Sequence, residues 1–204
     1  KNIWIATSNG INCIDYKTKK ITRFYPKSIN KECTTNIINR LLKHSDGNVY
    51  AFCNRSVFKC SMNQTVETVF PDIAIPSPTY SVAQAPDKDI YIGTESNGLY
   101  IYSENWKLKK HVPIDGIIAT ILPDNNGDIW LGLDETGICL FNKNKQTFTW
   151  LHKDNTNLNN NSIRTFVSYG DSSILVGTFR GLNILNKKEL TITPANINIA
   201  GKGG

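Results

Sequence analysis

The sequence lacks the short motifs by which several enzyme classes are recognised. It has no HExxH pair for zinc, no GxSxG around a serine nucleophile and no glycine-rich phosphate loop. It also lacks an apolar run of about 18 residues, the length that a helix needs to cross a bilayer. The sequence therefore indicates neither these enzyme classes nor a membrane-spanning helix, and no catalytic residue is predicted.

Cysteine is scarce and irregularly spaced. The five cysteines are Cys13, Cys33, Cys53, Cys60 and Cys139. An odd number without a CxxC pair excludes a disulfide framework or a zinc site that could be deduced from spacing. Four of them lie in strand-like runs, so we expect small, buried apolar side chains there. We predict no bound metal and no cofactor.

Acidic residues are fewer than basic ones, 17 against 23, which gives a net charge of +6. Such a balance can indicate an anionic partner. Ten lysines, however, fall in four short stretches that follow equivalent runs: KTKK (17–20), KLKK (107–110), NKNK (142–145) and NKK (186–188). We expect a solvated rim of lysines rather than a nucleic-acid surface, because no basic run alternates with aromatic residues for base stacking.

The chain does contain an internal repeat of two apolar runs around a short turn. Its copies read IWIATSNGINCI (3–14), VYAFCNRSVFKC (49–60), IYIGTESNGLYIY (90–102), DIWLGLDETGICLF (128–141) and ILVGTFRGLNIL (174–185). Aligned on the small residue that ends the first run, they place Ala6, Ala51, Gly93, Gly132 and Gly177 at spacings of 45, 42, 39 and 45. This period is the length of a four-stranded propeller blade, about 40–45 residues.

The predicted fold class is therefore all-β, a β-propeller of four-stranded antiparallel blades. We divide residues 1–204 into about five blades, at 1–35, 36–78, 79–115, 116–160 and 161–204. Asn, Asp and Gly in SDGN (45–48), NNGD (125–128) and YGDSS (169–173) are typical of hairpin turns. The first copy lacks its first strand, which NINIA (196–200) could supply. A closed five-bladed ring and an arc of a larger propeller both fit.

The predicted first strands, which would line the axis, carry no aspartate or glutamate: NIINRLL (36–42), YSVAQA (80–85), IIATIL (117–122) and IRTFVS (163–168). Glycoside-cleaving propellers need a pair of carboxylates there, so we do not expect that chemistry. His44, His111 and His152 stand singly at strand ends or turns, where exposed surface residues are expected. The calcium-loop pattern from Asp124 fails because Ile129 occupies its required glycine position.

The turns between second and third strands are predicted to open on one face of the propeller. They offer polar side chains beside an aromatic one, an arrangement that suits a sugar. The candidate ligand-binding residues are Asn9, Arg55, Asn97, Glu135, Phe179 and Arg180. Most of these residue types also suit turn geometry, but a β-turn has no need of Arg55 or Arg180.

With the repeats aligned, DIYIGTESNGLYIYS (89–103), DIWLGLDETGICLFN (128–142) and ILVGTFRGLNILN (174–186) resemble the two-component regulator propeller repeat. The resemblance covers essentially the whole chain. It implies a non-catalytic, ligand-sensing part of a hybrid two-component protein, in which a histidine kinase and a response regulator share one polypeptide. It further implies a periplasmic location, an oligosaccharide ligand, a membrane-anchored full-length protein and a homodimer.

Two alternatives stay open beside the sensor. One is a propeller enzyme of the streptogramin-lyase-like type, which would need histidine and carboxylate ligands converging on the axis for metal-assisted elimination. The other is a scaffold that binds protein partners. The chain opens in mid-strand at KNIWIA, so we expect an excised piece of a longer protein. It also departs from the family pattern at the second repeat, VYAFCNRS, which has lost the Gly-Thr pair.

Overall fold

The computed structural model describes residues 2–30, 33–61, 63–69 and 77–195. These residues form nineteen strands in five successive antiparallel sheets, with a single helical turn. No helix within these ranges has the length and apolarity needed to cross a membrane. The all-β prediction is confirmed, and the strand-like periodicity of the sequence accounts for it.

The elements in chain order are β1 (Asn2–Thr7), β2 (Gly10–Asp15), β3 (Ile21–Phe24), α1 (Pro26–Ile29), β4 (Arg40–Lys43), β5 (Val49–Cys53), β6 (Ser56–Cys60), β7 (Val66–Val69), β8 (Thr79–Gln84), β9 (Ile90–Thr94), β10 (Leu99–Tyr102), β11 (Leu108–Val112), β12 (Ile118–Pro123), β13 (Asp128–Leu133), β14 (Gly137–Asn142), β15 (Thr147–Leu151), β16 (Ile163–Tyr169), β17 (Ser173–Thr178), β18 (Gly181–Asn186) and β19 (Ile192–Pro194). The turn α1 starts on a proline, whose fixed φ suits a first helical position.

Each sheet is an up-and-down meander that corresponds to one predicted repeat. Blade 1 has three strands, β1 to β3, while blades 2 to 5 have four each: β4–β7, β8–β11, β12–β15 and β16–β19. The first strands contact one another in the order β4, β8, β12 and β16, so they form the inner side of the array. Within the described residues, blade 1 has no strand that corresponds to the first strands of the other blades. The NINIA segment proposed to supply it lies outside the described residues.

Neighbouring blades share apolar cores built from their second and third strands. Tyr91, Leu99 and Ile101 of blade 3 pack with Leu131 and Phe141 of blade 4, all of them buried. All five residues of β9 are buried, because the strand is covered by a blade on each side. Burial of this kind contributes about 25 cal/mol per Å² of apolar surface. It explains the nearly unbroken apolar runs of the second strands.

The cysteines are part of these cores. All five are free and buried: the four in strand-like runs as predicted, and Cys33, which lies in a loop, as well. Cys53, Cys60 and Cys33 pack in the core between blades 1 and 2. Burial raises the pKa of Cys53, Cys60 and Cys139 to about 12. These thiols are therefore poor nucleophiles near neutral pH.

The small residue that ends the second strand permits close packing of blades. A Cβ on Gly132 would lie 2.5 Å from Ile163 Cγ2 of the next blade, and a Cβ on Gly93 would lie 2.6 Å from Ile118 Cγ2. In blade 2, the alignment of Ala51 with these glycines was wrong by one residue. Phe52 holds that position: it pairs with Val57 of β6 as Gly93 pairs with Leu99 of β10.

Blade 2 accommodates this phenylalanine through a different packing partner. Phe52 is fully buried, with its ring centroid 6.2 Å from that of Trp106, which follows the third strand of blade 3. The same tryptophan lies against Tyr50 and His44. The loss of the Gly-Thr pair in this repeat is thus coupled to an aromatic cluster between blades 2 and 3.

Several lysines of the predicted rim bridge neighbouring blades instead of extending into solvent. Lys143 Nζ of blade 4 lies 2.6 Å from Asp89 Oδ2 of blade 3 and also contacts Asp87. Lys187 Nζ of blade 5 lies 3.0 Å from Asp124 Oδ2 of blade 4. Burial acts to raise the pKa of Asp87, but the hydrogen bonds from Lys143 and the Asp89 N–H, together with the charges of Lys143 and Lys109, outweigh it and the pKa is lowered. The expectation of a solvated rim therefore fails at Lys143 and Lys187, while the other eight lysines of the four stretches are exposed.

The equivalent turns of blades 2 and 3 are also joined, but by different groups. His44 Nε2 lies 3.1 Å from the backbone oxygen of Glu104, and its Nδ1 accepts the Asp46 N–H at 3.1 Å. Ser45 Oγ donates to Glu104 Oε1 at 2.7 Å. His44 is only 4% exposed, so the prediction of a surface histidine was wrong at this position. Although His44 lies at a strand end, blade 3 packs against it and buries it.

Acid is expected to weaken this junction through Asp46. Burial acts to raise the pKa of Asp46, but hydrogen bonds from the Asn48 N–H and the Tyr50 hydroxyl outweigh it and lower the pKa to about 2. A lowered carboxylate pKa stabilises the fold above its ordinary value near 3.8, and that contribution disappears as the pH falls towards about 2. Because the carboxylate is one-third exposed, we expect only about 1 kcal/mol.

The measurement is urea unfolding of the wild type and Asp46→Asn at pH 5 and at pH 2. The variant should be less stable by about 1 kcal/mol at pH 5, and the difference should vanish at pH 2. Asp115→Asn, an exposed carboxylate, serves as the control and should change stability at neither pH. An equal deficit of Asp46→Asn at both pH values would contradict the expectation.

Candidate functional site

The turns between second and third strands lie on one face together with the loops that enter the first strands. Glu95 N–H donates to Pro78 O at 3.1 Å, and Asp134 N–H donates to Ile117 O at 3.0 Å. Phe179 N–H likewise donates to the backbone oxygen of the residue just before β16, at 3.0 Å. We call this surface, formed by turns 8–9, 54–55, 95–97, 134–136 and 179–180 and the adjoining loops, the turn face.

The six residues predicted from the sequence all lie on the turn face, but mostly as turn residues. Asn9 Oδ1 accepts a hydrogen bond from Asn36 Nδ2 at 3.3 Å. Asn97 O accepts one from His111 Nε2 at 2.7 Å. Glu135 has a positive φ of 63°, and its N–H donates to a serine hydroxyl. For these residues the backbone conformation explains the residue type.

The remaining three predicted residues are exposed. Arg55 lines a cleft of about 370 Å³ with Cys33, Thr35 and Pro78 among its walls. Arg180 contributes its backbone to hydrogen bonds with Thr178 and Asn159 while its side chain is exposed. Phe179 is 72% exposed. None of the hydrogen bonds, ion pairs and ring contacts among the described residues joins two of the six.

A cluster of three side chains instead forms around Phe179. The guanidinium of Arg164 lies 5.6 Å from the centre of the Phe179 ring, and its Nη1 lies 3.0 Å from Asp134 Oδ2. Arg164 is the extra residue at a register shift between Ile163 and Thr165. Such a bulge turns a side chain away from the regular alternation of the strand. It therefore presents the guanidinium at the turn face.

This cluster contributes little to the stability of the fold. Arg164 is 45% exposed and Asp134 is 21% exposed, and an ion pair in that setting adds about 0–1 kcal/mol. The other carboxylate oxygen of Asp134, Oδ1, has no hydrogen-bond partner among the described residues. An exposed aromatic ring beside a positioned guanidinium and a carboxylate is suited to binding a hydroxylated ligand.

A second arginine and aromatic pair lies at the inner ends of blades 2 and 3. The guanidinium of Arg40 lies 5.7 Å from the centre of the Tyr80 ring, and its Nη1 donates to Asn39 O at 2.7 Å. These residues and Glu95 line a groove of about 360 Å³. Tyr80, like Arg164, lies at a register shift near the start of a first strand.

Sequence reasoning missed Arg40, Tyr80 and Arg164 because it searched the first strands only for carboxylates. The signal was present: Arg40 and Arg164 are the lone charged residues in the stretches 36–42 and 163–168. An axis-lining strand has no packing reason to carry arginine, so an arginine there indicates a surface that meets solvent or a ligand.

The histidines do not converge in the part of the chain that the structure describes. His44 is buried between blades 2 and 3. His111 lies in β11 and stacks on Tyr100 of β10, and His152 follows β15. Within the described ranges, no three His, Cys, Asp or Glu side chains are grouped as metal ligands would be.

Solved structures with the same fold include extracellular domains and an enzyme. The extracellular domain of a protein assigned as a one-component system from B. thetaiotaomicron is 15% identical, with a TM-score of 0.77 over 96% of this chain and 30% of its own. The extracellular domain of a protein assigned as a hybrid two-component system from the same organism is 24% identical, with a TM-score of 0.72 over 97% of this chain and 27% of its own. An inactive virginiamycin B lyase from Staphylococcus aureus, solved with quinupristin, is 18% identical, with a TM-score of 0.71 over 97% of this chain and 67% of its own.

No protein-family model and no curated protein sequence matches the chain. It spans 30% and 27% of the two extracellular domains just described. At these identities the likeness shows the fold. It agrees with the repeat type predicted from the sequence: the chain has the β-propeller architecture, with the extracellular domains of proteins assigned as hybrid two-component systems among its structural neighbours.

Proposed function

We propose that this chain is a non-catalytic, ligand-sensing extracytoplasmic module that recognises an oligosaccharide on its turn face. The observation that carries the proposal is the cluster of Arg164, Asp134 and Phe179. Phe179 offers an exposed ring for the C–H face of a sugar, while Arg164 and Asp134 offer a donor and an acceptor for its hydroxyl groups. The similarity in fold to extracellular sensor domains supports the same proposal.

The wider setting is part of the proposal. The module would lie in the periplasm, in a membrane-anchored protein that relays binding to a histidine kinase. A homodimer fits this role, because a ligand drives signalling only if it binds one arrangement of the protein more tightly than another. The enzyme alternative has a neighbour in fold, the lyase, but the described residues offer no cluster of metal ligands to support it.

The experiment is a thermal-shift screen of the whole chain against defined oligosaccharides, with monosaccharides as controls. One saccharide class at about 100 times its dissociation constant should add about 2.7 kcal/mol of stability and raise the melting temperature by several degrees. Arg164→Ala and Phe179→Ala should each abolish most of that rise.

Arg23→Ala is the matched control, since it removes an exposed arginine from the outer strand of blade 1. It should leave the rise unchanged. If every saccharide leaves the melting temperature unaltered, or if Arg23→Ala weakens the effect as much as Arg164→Ala, the turn face is not an oligosaccharide site. Trp150→Ala, tested in the same screen, separates this result from the one predicted below.

A further inference from the structure

A groove runs between the outer strands of blades 3 and 4, beyond their shared core. On β15, Phe148 and Trp150 lie on the same side of the strand. In the neighbouring strand β14, Phe141 pairs with Phe148 and Cys139 pairs with Trp150. Phe141 and Cys139 pack against blade 3, so the two aromatic rings also face that blade. The outer strands have separated at this distance from the axis, and the rings stay 43% and 37% exposed.

Both rings are held in place. Phe148 stacks on Phe141 with ring centroids 5.0 Å apart and planes 19° apart. The strand end beside Trp150 is fixed by Asn155, whose Nδ2 donates to Trp150 O at 2.9 Å and whose Oδ1 accepts the His152 N–H at 2.8 Å. A preorganised ring loses little entropy when a ligand binds.

The groove has the size and composition of a small-molecule site. Its volume is about 340 Å³, within the range of about 300–1,000 Å³ that such sites occupy. Pro113 and Ile114 extend the apolar wall, while Asp115 and Thr136 bring a carboxylate and a hydroxyl to its rim. The stacking on Phe141 accounts for Phe148, whereas Trp150 has no aromatic partner among the described residues and its ring stays partly exposed.

These groups match the two sides of a pyranose ring. Its C–H face stacks on aromatic rings, and its equatorial hydroxyls donate to carboxylates and exchange hydrogen bonds with a threonine hydroxyl. Among the described residues that line the groove, Asp115 alone has a charged side chain, and it would repel an acidic sugar. We propose that this groove binds a neutral pyranose unit, stacked on Trp150 and Phe148 and hydrogen-bonded to Asp115 and Thr136.

This site is separate from the turn-face cluster and stands without it. It lies at the outer edge of blades 3 and 4 and includes Thr136 of turn 134–136, but its lining includes none of the cluster residues Arg164, Asp134 and Phe179. A chain with both sites would hold two parts of one glycan, or two glycans. Binding at the groove does not require that the chain be a sensor.

The test uses tryptophan fluorescence and calorimetry on the whole chain, with maltohexaose, cellohexaose, mannohexaose and xylohexaose as probes and trigalacturonate as the acidic comparison. Trp106 and Trp130 are buried and Trp4 is half-buried in blade 1, so Trp150 is the residue whose emission should respond. At least one neutral probe should give a saturable emission change, and trigalacturonate should give none.

Three variants make the assignment specific. Trp150→Ala should weaken binding about tenfold or more, as loss of a stacked aromatic anchor does. Trp150→Phe should keep calorimetric binding within about threefold while the emission change disappears. Leu108→Ala removes an exposed side chain from the neighbouring outer strand outside the groove and should change neither readout.

The proposal is overturned if no neutral probe gives a change that depends on Trp150. It is also overturned if trigalacturonate binds as tightly as the neutral probes, or if Leu108→Ala weakens binding as much as Trp150→Ala. Loss of binding in Trp150→Ala with Arg164→Ala unaffected would support the groove and count against the turn face as the site for that sugar.

Discussion

Trp130→Ala is expected to lower the free energy of unfolding by about 4 kcal/mol, because it empties a large volume in a core that cannot collapse around it. Trp130 is 1% exposed and packs with Ile163, Phe166 and Val176 in the core between blades 4 and 5. The loss combines the transfer of the indole to water with the cavity left between two sheets. Urea unfolding followed by circular dichroism measures it.

The control is Trp150→Ala, which removes the same side chain from the outer strand of the same blade. Because Trp150 is partly exposed, we expect a loss below about 1 kcal/mol. If the two variants were equally destabilised, stability would not reside in the cores between blades. The control also shows whether loss of binding in Trp150→Ala occurs in a folded protein.

Gly132→Ala is expected to destabilise the chain by about 2 kcal/mol through a clash between blades. The new Cβ would lie 2.5 Å from Ile163 Cγ2 and 2.6 Å from Thr120 Cγ2, closer than carbon atoms approach in folded proteins. Ile163 belongs to the first strand of blade 5, which is fully buried there. Relief of the clash would require blades 4 and 5 to move apart.

Gly177→Ala is the matched variant in blade 5. Its Cβ would meet Thr165 Cγ2 at 2.7 Å within the same blade, and the next nearest atom is 3.6 Å away. We expect a loss below about 1 kcal/mol, because a single threonine side chain can shift more readily than a neighbouring blade. Equal losses in the two variants would show that the glycines are required by their own blade and not by the contact between blades.

Much of the fold could be predicted from the sequence because one signal was repeated. Each copy placed two apolar runs around a turn, and the period gave the blade. The prediction failed where a residue type had been exchanged: Ala51 was aligned as the small residue, whereas Phe52 occupies that position. Phe52 packs against Trp106 of the next blade. This contact joins residues that are far apart in the sequence, so local sequence patterns do not reveal it.

The candidate sites were harder to predict, for physical reasons that differ between residues. Arg164 reaches the turn face because of a β-bulge, and no local sequence motif predicts that shift in register. Phe148 and Trp150 read as ordinary members of a fourth strand, since their exposure depends on how far two blades separate at their outer edges. Phe179 was predicted because it is the aromatic residue beside the hydrogen-bonding side chains of these turns, a combination that suits a sugar.

The ion pairs and hydrogen bonds that join turns of neighbouring blades, at the edge opposite the turn face, also affect how such a protein can gain blades. We call these contacts bridges. The bridges between blades 2 and 3, 3 and 4, and 4 and 5 each join the first turn of one blade to the last turn of the next, so blades 3 and 4 each carry both halves and the joint is head-to-tail. A tandem duplication of blade 4 would set Lys143 of the second copy beside Asp124 of the first, an attractive pair like that of Lys187 and Asp124. A copy of blade 3 in that place would set Glu104 beside Asp124, two carboxylates that repel. Charge at these turns therefore favours an increase in blade number by duplication of blade 4 and disfavours insertion of blade 3 after blade 4.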